Sequence, residues 1–176
     1  MSTLRFNTWQ DTGGTEVANS TLGTGKILQV VSTTKTDTFT TSSGSFTDVT
    51  GLSLSITPSS ATSKVLVFST LYLTGDLGVA RAYGRLARDS TALFIGDAAG
   101  NRIQASFYGW PDDNDAVQQG ITYLDSPATT SATTYKVQVR AEIGQAVAYV
   151  NRTDTDSNTT TYGRYASSIT ALEVSA

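Results

Sequence analysis

Nine residues in the last third of the chain constrain its fold more than any others. Tyr135, Val137, Val139, Ala141 and Ile143 alternate with Lys136, Gln138, Arg140 and Glu142. A period of two sends successive side chains to opposite faces of an extended strand, so one face is apolar and the other wet. Such a strand needs a sheet around it and a second layer over its apolar face. Leu52, Leu54 and Ile56 alternate with Ser53, Ser55 and Thr57 in the same way. The stretch Lys64 to Thr74 differs, with Val65, Val67 and Leu71 on one face and Leu66, Phe68 and Tyr72 on the other. A strand apolar on both faces is central in a sandwich, or has its second face covered by another subunit. Leu66, Phe68 and Tyr72 are therefore read as a subunit interface.

Helix has little support. Three Glu and four Lys are a poor supply of strong helix formers beside 30 Thr and 20 Ser among 176 residues, and no window of a dozen residues shows a clean 3.6-residue period. Further strands are expected at 27–33, 37–41, 79–88, 91–95, 102–108, 120–125, 146–151 and 168–174, with turns at Ser43-Gly44, Thr57-Pro58-Ser59, Thr74-Gly75-Asp76 and Asp125-Ser126-Pro127 between them. Ten or eleven short strands without crossover helices predict an all-β antiparallel sandwich or barrel. The first 25 residues are different. Their apolar residues, Leu4, Phe6, Trp9, Val17 and Leu22, are isolated among Thr, Gly, Asn and Ser and cannot build a core. Residues 1–25 are read as a docking arm, attached through Leu4, Phe6, Trp9 and Val17, and residues 26–176 as the sandwich.

The composition removes whole classes of chemistry. With no Cys and no His, Ser-His-Asp hydrolases, cysteine proteases and zinc enzymes of the usual ligand sets are excluded. The net charge of −3 and the scattered basic residues argue against nucleic acid as a partner. The longest apolar-rich stretch, Val65 to Leu73, is broken by Ser69 and Thr70, far short of the roughly 20 residues that cross a bilayer. No run of signal-peptide length stands near Met1, so the expectation is a soluble protein made in the cytoplasm, with no membrane insertion.

Two surface groups stand out. Tyr108 and Trp110 precede Asp112, Asp113 and Asp115. Aromatic rings beside carboxylates are what a sugar-binding surface uses, with stacking on the ring and hydrogen bonds to hydroxyls. These five residues are the candidate receptor or glycan surface, weighed against ordinary core aromatics beside a solvated acidic turn. Asp154-Thr155-Asp156-Ser157-Asn158 opens like an EF-hand loop, but Thr159 stands where Gly is needed and Tyr165 where Glu is, so that reading is rejected. No metal site, cofactor or catalytic pair is assigned. Sequons at Asn19, Asn151 and Asn158 are expected by chance in so hydroxylic a chain.

The opening Leu4-Arg5-Phe6-Asn7-Thr8-Trp9-Gln10-Asp11-Thr12-Gly13-Gly14, with Gly25-Lys26-Ile27-Leu28-Gln29-Val30-Val31, Leu52-Ser53-Leu54-Ser55-Ile56-Thr57-Pro58, Tyr123-Leu124-Asp125-Ser126-Pro127 and the closing Ser168-Ile169-Thr170-Ala171-Leu172-Glu173-Val174, resembles tail-fibre-like and virion structural proteins of tailed phages, of the cyanophage and marine-phage type. The resemblance covers almost the whole chain and carries no catalytic motif. It implies a jelly-roll-like β-sandwich, assembled as a homotrimer on the virion surface and joined by its arm to capsid, neck or tail proteins. The first reading is thus a short tail or neck fibre that binds a host-surface glycan. The alternative is a capsid decoration protein that stabilises the head. A carbohydrate-active enzyme stands last, because a glycosidase needs two opposed carboxylates and no pair is marked out.

Overall fold

The structure, a computed structural model, describes residues 25–76, 80–110, 115–142 and 146–176. Eleven strands are described: β1 (Ile27–Lys35), β2 (Phe39–Thr41), β3 (Thr47–Ile56), β4 (Lys64–Thr74), β5 (Ala82–Arg88), β6 (Thr91–Leu93), β7 (Phe107–Gly109), β8 (Val117–Asp125), β9 (Thr133–Ala141), β10 (Ala148–Val150) and β11 (Ser167–Val174). No helix occurs among the described residues.

Pairing is nested about β6. β1 pairs antiparallel with β11, β2 with β10, β3 with β9, β4 with β8 and β5 with β7. The chain is thus one long hairpin folded double, then rolled up. Rolling adds the second contacts, β11 and β10 on β4, and β9 on β5. One sheet runs β1-β11-β4 with β8 on the far edge of β4, and the other β3-β9-β5 with β6 and β7 on the far edge of β5. Two sheets in this order are the jelly-roll form of antiparallel sandwich.

The alternating residues dictate which faces meet. Tyr135, Val137, Val139 and Ala141 of β9 are fully buried, as are Val65, Val67, Leu71 and Leu73 of β4. All but Ala141 pack with Leu52 and Ile56 of β3, Leu86 of β5 and Ile169 of β11 in one core, while Ala141 packs with Ala80 and Ala146. Two glycines leave room for side chains of the facing sheet. A Cβ on Gly109 would lie 2.9 Å from Leu73 Cγ, and one on Gly84 3.3 Å from Leu71 Cδ2.

Buried polar groups close one end of the sandwich, where register sets Glu173, Val65 and Asp125 in one row. Glu173 of β11 is 1 % exposed. Its carboxylate accepts from the Ser59 amide (2.7 Å), the Ser59 hydroxyl (2.6 Å) and the Gln29 side-chain amide (2.7 Å), joining β11 to β1 and the β3–β4 turn. Burial works against that charge, but the hydrogen bonds from Ser59, Gln29 and Ser63 outweigh it and hold the carboxyl at about 2. Asp125 of β8 accepts from Arg88 and from the Tyr135 hydroxyl, each at 2.6 Å. Burial, then the hydrogen bond to Asp125, pushes the Tyr135 phenol far up.

Several expected boundaries shift for local reasons. The strand expected at 102–108 is only Phe107–Gly109. The Gln104 amide donates to Gly96 O (2.7 Å) and the Ser106 hydroxyl to Phe94 O (2.7 Å), so these side chains hold 94–106 as a loop in place of a strand ladder. The strand expected at 146–151 stops at Val150, because Asn151 turns left-handed at φ 62°. The strand expected at 79–88 begins at Ala82, after an isolated bridge between Asp76 and Ala80.

Candidate binding surface

The outer face of the β3-β9-β5-β7 sheet is polar and aromatic. Its register lines up Tyr108, Tyr83 and Arg140 in one row, and Arg85, Gln138 and Asp48 in the next. Phe46 lies under two of the cations, 4.2 Å from the Arg85 guanidinium and 5.9 Å from that of Arg140. Asp48 takes Lys136 at 2.8 Å and the Gln138 amide at 2.6 Å. Burial opposes its charge, but these two bonds prevail and lower its pKa.

The row ends in a cluster at the margin of the sheet. Alternation along β7 sends Phe107 and Gly109 inward and Tyr108 and Trp110 outward, where Trp110 is 52 % exposed. The Tyr83 and Tyr108 rings meet edge to face at 5.7 Å, and Tyr108 and Trp110 at 6.1 Å. Arg81 binds them together. Its Nε donates to the Tyr108 hydroxyl at 2.8 Å and its guanidinium stands 5.6 Å from the Trp110 ring. Glu142, just beyond β9, accepts from the Arg81 amide at 2.9 Å and faces its guanidinium at 3.4 Å. The hydrogen bond to Tyr108, and then the nearby acid, raises the Arg81 pKa. Burial, and then Glu142, raises that of Tyr83. Gln119 of β8 clamps the strand from the other sheet: its Oε1 accepts from the Tyr108 amide at 2.7 Å and its Nε2 donates to the Tyr108 carbonyl.

Beside this cluster opens a cavity of about 310 Å³. Tyr83, Phe107 and Tyr108 form its aromatic wall, and Asp97, Arg102 and Gln104 of the β6–β7 loop its polar rim. That volume is at the lower end for small-molecule sites. The arrangement suits binding: flat rings for an apolar ring face, fixed donors and acceptors at the rim. Among the described residues, the carboxyls of Asp37, Asp48 and Glu173 are held below their ordinary values, the direction opposite to that of a general acid.

Of the expected surface, Tyr108 and Trp110 come together here. Asp112 and Asp113 lie outside the described residues. Asp115 is exposed, with its backbone carbonyl accepting from the Thr74 hydroxyl at 3.3 Å. Leu66 and Phe68 do share the outer face of the other sheet, where Phe68 is 42 % exposed. Tyr72 is less available, since its ring stacks on Tyr165 at 4.6 Å. The arm residues Leu4, Phe6, Trp9 and Val17 lie outside the described residues. In the 154–158 loop, Asp156 pairs with Arg164 at 2.7 Å and Arg152 at 3.5 Å, so arginines already occupy that carboxylate. Sequence reasoning did not bring Arg81, Tyr83, Gln119 or Glu142 to the cluster, because only cross-strand register places them there.

The fold and surface together define a jelly-roll β-sandwich with an exposed aromatic–arginine patch on one sheet. No protein-family model matches the chain, and no curated protein matches its sequence.

Proposed function

We propose that this chain is a non-enzymatic structural protein of a tailed-phage virion, an oligomeric surface knob that binds a host-surface glycan and is attached through residues 1–25. One observation carries the binding role: Tyr108 and Trp110 stand exposed beside the half-buried Tyr83, with Arg81 fixed among them by its bonds to Tyr108 and Glu142. Exposed aromatic rings with oriented polar neighbours favour a ligand with one apolar and one hydroxylic face. The jelly roll and the likeness to virion proteins support placing that role on a particle.

Adsorption of the labelled protein to host cells tests the proposal. The wild type is expected to adsorb, and the Trp110→Ala/Arg81→Ala variant to lose adsorption while keeping its melting temperature. Virions that adsorb normally without the protein would refute the adhesin role. A stained gel of purified virions then separates the readings, since a head decoration protein would be present in several hundred copies and a fibre in far fewer.

A further inference from the structure

The outer faces of the two sheets differ in charge. One carries Asp48, Lys136, Arg85 and Arg140. On the other, register aligns Val30 of β1, Leu172 of β11, Leu66 of β4 and Leu124 of β8 in one row across four strands. The next row is Ser32, Thr170, Phe68 and Thr122. Val30 is 57 % exposed and Leu124 54 %. Among the described residues at these outward register positions, the only charge is Lys64, at the border, where its ammonium donates to Ser126 at 2.8 Å.

We propose that this uncharged face is buried against a second copy of the same chain. The proposal rests on the oligomeric reading above and assigns its interface. Charge selects the occupant. A charged partner finds no counter-charge on this face, whereas an identical face brings no repulsion, and interface cores are depleted in charge. A Ser or Thr hydroxyl is both donor and acceptor, so a hydroxyl row complements itself as a charged row cannot. The area suffices. Lys64 to Tyr72 at about 3.3 Å per residue, across four strands about 4.8 Å apart, makes a footprint of about 500 Å². Two such footprints reach about 1,000 Å², where specific interfaces begin. Leu66 and Phe68 belong to this contact together with Val30, Leu124 and Leu172, while Tyr72 is held by Tyr165.

Light scattering on the full chain across a dilution series tests it. The wild type is expected at a mass of two or more copies. Val30→Glu/Leu124→Glu should be a folded monomer by circular dichroism, with the half-dissociation concentration raised roughly a thousandfold, as for the loss of two hot-spot contacts. Ser53→Glu, on the charged sheet, should leave the mass unchanged. An oligomer unaffected by Val30→Glu/Leu124→Glu overturns the face and spares the oligomeric reading; a monomeric wild type overturns both. If Phe6→Ser/Trp9→Ser lowers the mass and Val30→Glu/Leu124→Glu does not, the contact belongs to the N-terminal segment and the proposal fails. Should the double variant misfold, Phe68→Ser must still lower the mass.

Discussion

Replacing Glu173 with Gln separates the charge of this buried carboxylate from its shape. Its pKa falls from the ordinary 4.5 to about 2. At about 1.36 kcal/mol per pH unit, the folded state gains roughly 3 kcal/mol from the ionised form. Because the folded pKa is the lower one, that contribution is complete above pH 4.5 and disappears as the pH falls toward 2. In the Gln variant one oxygen can still accept from Ser59. The new NH2 then meets the Gln29 amide, which also donates to Thr57 O at 2.7 Å. Turning Gln29 over to accept would break that bond, so the neighbours cannot fully adapt.

The assay is urea unfolding of wild type and Glu173→Gln at matched pH from 7 to 2. At pH 7 the variant should be roughly 3 kcal/mol less stable, a fall in Tm of about 6–12 °C for a chain of this size. Other acids titrate in the same range, Asp37 and Asp48 among them, but they are common to both proteins and cancel in the difference. That difference should close between pH 4.5 and 2. A gap below about 0.5 kcal/mol at pH 7, or one that stays constant from pH 5 to 2, would refute the reasoning.

Gly109→Ala places a methyl 2.9 Å from Leu73 Cγ and should cost about 1–3 kcal/mol by overpacking, read as a lower denaturant midpoint with an unchanged slope. Asn151→Ala removes donors to Lys35 O (2.9 Å) and Asp37 O (3.0 Å) and the acceptor for the Ser167 hydroxyl (2.5 Å) at a left-handed residue; a loss of about 2–4 kcal/mol is expected by the same measurement. Asp125→Ala leaves Arg88 and the Tyr135 hydroxyl without their shared carboxylate and should cost about 3–5 kcal/mol, whereas Asp97→Ala, which removes an exposed carboxylate, should cost far less.

How much of this could be read in advance depends on how local each feature is. Alternation in 135–141 named the inward face of β9 correctly, because period-two burial needs only the strand itself. The two apolar faces of 64–74 also survived, Val65 and Val67 in the core and Leu66 and Phe68 outside. What failed was nonlocal or depended on single side chains. Ile103, Ala105 and Phe107 alternate well enough to suggest a strand, yet Gln104 and Ser106 bond to backbone across the loop. The sequon at Asn151 reads as a chance match; the role of that residue, fully buried and tying β1 to β11, has no sequence signal. The row Val30, Leu172, Leu66 and Leu124 draws on residues up to 142 positions apart, and neither spacing nor composition specifies such a register.

Nested pairing also imposes an order on folding. Tyr83 and Tyr108, at the tip of the doubled hairpin, are 25 residues apart; Leu66 and Leu124 are 58 apart, Leu54 and Tyr135 81, Thr40 and Tyr149 109, and Val30 and Leu172 142. Closing the last pair directly from an unfolded chain costs roughly 1.5 kcal/mol more than closing the first. Once an inner pair has formed, each further pair closes only a short remaining loop, so zipping outward from β5–β7 is the least costly route. Leu86 of β5 and Ile169 of β11 are both fully buried, so Ala at either is strongly destabilising but should act on different rates. Leu86→Ala should mainly slow folding and Ile169→Ala mainly speed unfolding. A φ-value for Ile169 equal to or above that of Leu86 would overturn this order. In the zipping route β1 docks last, and it carries Val30, so the uncharged outer face is completed only at the final step. A copy unzipped at β1 exposes the strand edge of β11 next to the apolar row, and association of copies should therefore follow folding of each chain, with a rate that depends on protein concentration only after the unimolecular phase.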